Sequence, residues 1–163
     1  MKKVIFSGIF LLVAVAVFFS CKEDFYKKSR NLELKELKEY ITKNYPDIEP
    51  KASGLYFIEK QKGYGDTIKL GDRVQIFYTT MALDSFVFDE TGVYEPYEVI
   101  VGSTTNILGL NEGLTYMQPG AKASLIINSE LAYESVGSGL IPSFATLLMD
   151  VEVYKVFPLQ TSN

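Results

Sequence analysis

The chain has 163 residues, 47% of them apolar, enough for one domain with a packed core and a short extension. With 16 Lys and Arg against 20 Asp and Glu it carries a formal charge of -4, so the basic footprint of a nucleic-acid-binding surface is absent. It has no His and no Trp, and its only Cys is Cys21, which excludes Cys-His and Ser-His catalysis and the usual His/Cys zinc sites. Any chemistry falls to carboxylates, hydroxyls, backbone amides or pocket shape.

Lys2 and Lys3 precede an apolar run from Val4 to Phe19, which closes at Ser20-Cys21 and gives way to Lys22, Glu23 and Asp24. This has the parts of a secretory signal and is short for a spanning helix. A Cys closing such a run resembles a bacterial lipoprotein signal, implying residues 1–20 as the leader and Cys21 as a lipidated N-terminus. Phe18 and Phe19 depart from the commoner lipobox residues, and the alternative is an uncleaved anchor. Both place the following domain outside the cytoplasmic membrane. Lys22-Glu23-Asp24 is similar to the export tag of Bacteroidetes-type surface lipoproteins, or else is a solvated charge cluster at a terminus. The expected location is the cell envelope, lipid-anchored through Cys21, with the outer membrane favoured.

Residues 21–53 read as a tether with one helix. From Asn31 to Tyr45, the residues Leu34, Leu37, Tyr40, Ile41 and Tyr45 recur at spacings of three and four, predicting an amphipathic helix of about four turns. Glu33 and Glu36 suggest no chemistry of their own. A helix this short is marginal alone, so its stripe is expected to pack on the same chain rather than on a second copy, and a monomer is expected over a dimer. Pro46 and Pro50 end it.

The main domain is predicted over 54–157. Gly54 to Lys60 has strand composition, and Arg73 to Met81 alternates, with Val74, Ile76, Tyr78 and Thr80 on the inward face. Asp84-Ser85 turns the chain into Phe86-Val87-Phe88-Asp89; Glu90 to Glu95 is a loop, and Tyr97 to Val101 is a strand. Leu110, Leu114 and Met117 mark the one short helix, stopped by Pro119-Gly120. Ala121 to Asn128 is a strand, and a glycine-bearing loop then leads to a last strand in which Leu147, Met149, Val151 and Val153 alternate with polar neighbours. The expected class is α+β, an antiparallel sheet wrapped around one short helix and preceded by the N-terminal amphipathic helix.

Several motifs follow in order: Gly71-Asp72 before the strand bearing Tyr78; Phe88-Asp89; Pro96-Tyr97 with Val99 before Gly102; Ile107 and Gly109 with Glu112-Gly113-Leu114; and Leu131-Ala132-Tyr133 through Ile141-Pro142 to Ala145-Thr146-Leu147. This set resembles the FKBP-type peptidyl-prolyl isomerases. The resemblance implies a proline pocket lined by Tyr78, Phe88, Tyr97, Val99, Ile107, Tyr133, Ile141 and Met149, with Leu110 at its floor. Asp89 would accept the Tyr78 hydroxyl proton, and the substrate carbonyl would meet the backbone amide of Ile141 and the hydroxyl of Tyr133. It implies no cofactor and no metal, with proline-containing polypeptides as partners. Read from alternation alone, Tyr78, Phe88, Ile107 and Met149 are ordinary core positions, Asp89 a turn residue and Tyr133 a loop anchor.

The sequence departs from the family pattern at Leu110, where a Trp is usual, and at Met149, where an aromatic is. Ser85 and Glu134 stand where Gly is common, and Ser143 where Pro is. Two functions are therefore expected to compete. One is a folding-assisting isomerase for envelope or exported proteins. The other is a catalytically weak polypeptide-binding module, acting as a holdase or as a subunit of a cell-surface machine. Metal-dependent hydrolysis through Asp84, Asp89, Glu90 and Glu95 has little support without His.

Overall fold

A computed structural model describes residues 24–159 of the chain. The candidate leader and Cys21 lie outside the described residues. Helix α1 spans residues 24–44 and the N–H of Tyr45 still bonds Ile41, after which Pro46 cannot continue the pattern. It starts well before the predicted Asn31, because residues 24–30 gain tertiary partners: Tyr26 packs edge-on against Phe144 at 5.0 Å, and Arg30 pairs with Glu130 at 2.7 Å. The buried stripe also differs from the predicted one. Leu34 is exposed, and the stripe runs through Glu33, Leu37 and Ile41.

Six strands form one antiparallel sheet. They are β1 (Tyr56–Gln61), β2 (Arg73–Met81), β3 (Val87–Glu90), β4 (Tyr97–Ile100), β5 (Lys122–Ile127) and β6 (Leu147–Phe157), in the order β1-β5-β6-β2-β3. β4 pairs with the first half of β2, where Val74 faces Val99, and β3 pairs with its second half, where Thr80 faces Asp89. Helix α2 (Leu108–Thr115) crosses the inner face. The core between them is Leu55, Val74, Ile76, Leu114, Leu125, Leu147 and their neighbours.

β5 buries both faces, although half-burial is what its alternation suggests. Ala123, Leu125 and Ile127 point toward α2, whereas Ile126 joins Leu37, Ile41 and Ile58 in a second cluster under α1. The sheet is thus covered on one face by α2 and on part of the other by α1, which packs on its own chain as expected. β6 alternates cleanly only to Val153. A bulge opposite Gln75 and Ile76 absorbs Tyr154 and brings Val156, rather than Lys155, onto the core.

The β2–β3 turn closes through Ala82 and Phe86, whose N–H and carbonyl lie 2.8 Å apart, and it holds Ser85 at φ 74. A side chain in that left-handed region costs about 1–2 kcal/mol, part of which a glycine returns through the unfolded chain. Ser85→Gly is therefore expected to raise stability by about 0.5–1 kcal/mol, read as a higher urea midpoint. A lowered midpoint would show that the turn is not strained.

Candidate active site

The predicted site residues converge at one end of the core. Val99, Leu110 and Met149 are 1%, 5% and 4% exposed and form a closed floor. Tyr78, Phe88, Ile107, Tyr133 and Ile141 are half-buried and pack against the core cluster that contains these three. Tyr97 is exposed and meets Tyr78 edge-to-face at 5.8 Å. The result is an apolar base with aromatic side chains beside it.

Phe88 and Asp89 are consecutive in a strand, so regular pleating would send them to opposite faces. The pairing of β2 with β3 slips here: Thr80 faces Asp89 but Met81 faces Val87. Phe88 is the extra residue, and the bulge lets both side chains serve the pocket. Phe88 packs on the core, and the Tyr78 hydroxyl donates to Asp89 Oδ2 at 2.6 Å.

The flap is the loop between β5 and β6. It begins in a 3-10 turn, Ser129–Leu131, capped by the Asn128 side chain, which accepts from the Glu130 N–H. It closes on itself where the Phe144 N–H donates to the Glu134 carbonyl at 2.7 Å. Glu134 and Phe144 sit at φ 48 and 57, so the position where the family favours Gly is a left-handed one here. The tip is a tight turn in which Ser138 and Ile141 exchange backbone hydrogen bonds of 2.9 and 2.8 Å. This corrects one expectation. The Ile141 amide is already donated to the Ser138 carbonyl and is not free for a substrate. The N–H of Ile107 is different: it stands at the cap of α2 and makes no hydrogen bond among the described residues.

Burial raises the Tyr78 hydroxyl above its ordinary pKa, and the bond to Asp89 adds to the effect. Burial likewise raises Tyr133, with Asp89 and Tyr97 contributing next. Both phenols therefore remain protonated donors past pH 10, the ordinary value. A group whose pKa is higher folded than unfolded contributes stability that is complete below the unfolded value and lost as pH rises through the folded one. The urea midpoint is expected to fall above about pH 10, and to fall less in Tyr78→Phe. The difference between the phenolate absorbance of wild type and of that variant isolates Tyr78 among the 11 tyrosines. Ionisation at or below pH 10 would contradict the half-buried, Asp89-bonded geometry.

Sequence reasoning missed Glu33. It is 3% exposed, and its Oε1 accepts the Ser129 N–H at 2.6 Å and the Thr146 hydroxyl at 3.0 Å. Oε2 accepts the Ser129 hydroxyl at 2.6 Å and pairs with Arg30. One carboxylate on α1 thus ties both roots of the flap. The only signal was positional: a Glu at the head of the 33, 37, 41 series. Among the described residues, no three His, Cys, Asp or Glu side chains gather as a metal site requires.

A six-stranded antiparallel sheet wrapped on one short helix, with the β5–β6 flap and the Tyr78–Tyr97 aromatic pair beside the core, defines one class of α+β fold. Residues 65–154 match the family model described as FKBP-type peptidyl-prolyl cis-trans isomerase, and the chain belongs to that family. It is 38% identical over 116 residues to a probable FKBP-type peptidyl-prolyl cis-trans isomerase of Haemophilus influenzae, covering 69% of this chain and 46% of that protein. It is 40% identical over 106 residues to the FKBP-type 22 kDa peptidyl-prolyl cis-trans isomerase of Escherichia coli, covering 64% and 50%. The chain spans about half the length of these two curated relatives. The crystal structure of FkpA from Escherichia coli superposes with a TM-score of 0.71 at 30% identity, covering 83% of this chain and 62% of that one.

Proposed function

We propose that the chain is a peptidyl-prolyl cis-trans isomerase that assists folding of envelope or exported proteins. The observation that carries it is the buried apolar set Val99, Leu110 and Met149, in the cluster against which Tyr78, Phe88, Ile107 and Tyr133 pack, together with the Tyr78–Asp89 hydrogen bond. Rotation about a peptide bond costs about 18–20 kcal/mol because it breaks amide resonance, and unaided X-Pro exchange takes tens to hundreds of seconds. No covalent bond forms, so no nucleophile is needed. The twisted transition state has a less polarised carbonyl than the planar amide, and a water-free pocket favours it over the ground state.

Each residue then has a role in this reading. The floor holds the pyrrolidine ring, with Phe88 and Tyr97 walling it. The Ile107 N–H and the Tyr133 hydroxyl are the donors for the substrate backbone, which hold the carbonyl while the ring side turns. Asp89 fixes the Tyr78 ring by accepting its proton. Ile141 contributes its side chain to the flap wall.

The test is a protease-coupled assay on a short proline peptide with the full chain. Wild type is expected to accelerate cis-to-trans conversion, and Phe88→Ala to lower kcat/KM at least about tenfold by removing an aromatic wall. Leu110, a smaller floor than an indole, favours a second reading in which the pocket binds without turnover. Tight peptide binding at the spontaneous rate would select that one. The envelope assignment rests on Lys2, Lys3, the apolar run and Cys21. It predicts lipid labelling that Cys21→Ser abolishes, and labelling that persists in that variant would refute lipidation at Cys21.

A further inference from the structure

We infer that the cleft between α1 and the β2–β3 turn is a second part of the substrate site, taking the residues that flank the proline and selecting basic ones. This rests on the isomerase reading of the adjoining pocket.

The cleft has a volume of about 950 Å³. One wall is α1, and the other is the β2–β3 turn, Ala82 to Ser85, with Pro142 and Ser143 of the flap at its end. Phe88 lines this cleft and also packs on the core cluster that holds Val99, Leu110 and Met149, so the cleft and the proposed pocket meet at this side chain. An extended chain advances about 3.3 Å per residue, so a polypeptide with its proline over the floor lays its next few residues along α1. The α1 wall is anchored by Glu33 at the flap roots and by the Tyr26–Phe144 contact.

Charge identifies the occupant. Glu33 is already neutralised by Arg30 and bonded to Ser129 and Thr146. The remaining charged groups on the walls are Glu36, Glu39 and Asp84 against Lys43. Glu39 is held only by an exposed 3.8 Å pair with Lys35. Phe25 and Leu32, 68% and 55% exposed, offer apolar contact on the same wall. An acidic cleft with an apolar rim, adjoining the proposed proline pocket at Phe88, fits a polypeptide with Lys or Arg near its proline. Acidic segments are repelled.

Fluorescence anisotropy with the full chain tests this. The probes are peptides with one central proline and arms of about six residues, bearing either Arg or Glu in the arms. Two exposed charge pairs are expected to make the Arg peptide bind about five- to tenfold tighter, with the difference shrinking in high salt. The double variant Glu36→Lys with Glu39→Lys is expected to reverse the preference toward the Glu peptide. Equal affinity of the two peptides for wild type, or a preference for Arg that survives the reversal, would overturn the inference. Should the variant fail to fold, the salt dependence of wild type still decides: a preference indifferent to salt overturns it. A wild type that discriminates the arms yet leaves a short proline peptide at its spontaneous rate would fail the isomerase reading while the cleft stands.

Discussion

Glu33→Ala is expected to lower the unfolding free energy by about 2–4 kcal/mol, and the melting temperature by roughly 10 °C. The carboxylate is buried and receives the Ser129 N–H, the Ser129 hydroxyl and the Thr146 hydroxyl. Truncation leaves those buried donors unpaired, at about 1–3 kcal/mol for each that water cannot reach. It also strips Arg30, whose side chain is 12% exposed, of one of its two carboxylates, since Glu130 remains. Replacing the pair with apolar groups would be a different experiment, because a buried ion pair repays its desolvation poorly while half of one is costly. Glu33→Gln keeps the shape and some acceptors, so it is expected to lie between wild type and Glu33→Ala. Amide exchange should quicken at Ser129 and Thr146 before it does in β5. A melting temperature within about 2 °C of wild type for Glu33→Ala would mean that α1 is not anchored through this group.

Gly113→Ala is expected to destabilise by about 1–3 kcal/mol, against the sign of helix propensity, which favours Ala by about 1 kcal/mol. A Cβ at Gly113 would fall 2.5 Å from Leu125 Cδ1 and 2.8 Å from Cδ2. Leu125 is fully buried, so it has no room to withdraw, and the helix must lift instead. Gly109 makes the same approach one turn earlier, where a Cβ would lie 2.4 Å from Ile127 Cγ2. The two glycines set α2 close on β5, and α2 carries Leu110 and follows Ile107. Lifting it raises the pocket floor and moves the unpaired amide, so kcat/KM should fall more than the stability loss alone explains. A urea midpoint above that of wild type, at unchanged slope, would show that propensity wins and that α2 is loosely seated.

What the sequence made legible was local. The alternation of Arg73 to Met81 corresponds to β2 at both ends, and the ordered motifs run through Tyr78, Phe88, Ile107, Leu110 and Tyr133, which share one core cluster. What it hid depends on contacts distant in sequence. Glu33 reads as a solvated acid until Ser129 and Thr146 meet it, and Ile126 reads as an outward residue until Leu37 and Ile41 cover it. Hydropathy cannot show a bulge, so neither the shared facing of Phe88 and Asp89 nor the shift to Val156 was predictable by period. The engaged amide of Ile141 follows from a turn whose hydrogen bonds no spacing rule specifies.

NMR exchange spectroscopy on a proline peptide, with a small catalytic amount of the full chain, measures the proposed reaction without a coupling enzyme. Isomerase action predicts exchange cross-peaks between the cis and trans resonances, on a timescale far shorter than the tens of seconds of the uncatalysed bond. They should weaken strongly with Phe88→Ala. Peptide resonances that shift on binding while cis and trans remain unexchanged would contradict catalysis and leave a polypeptide-binding module.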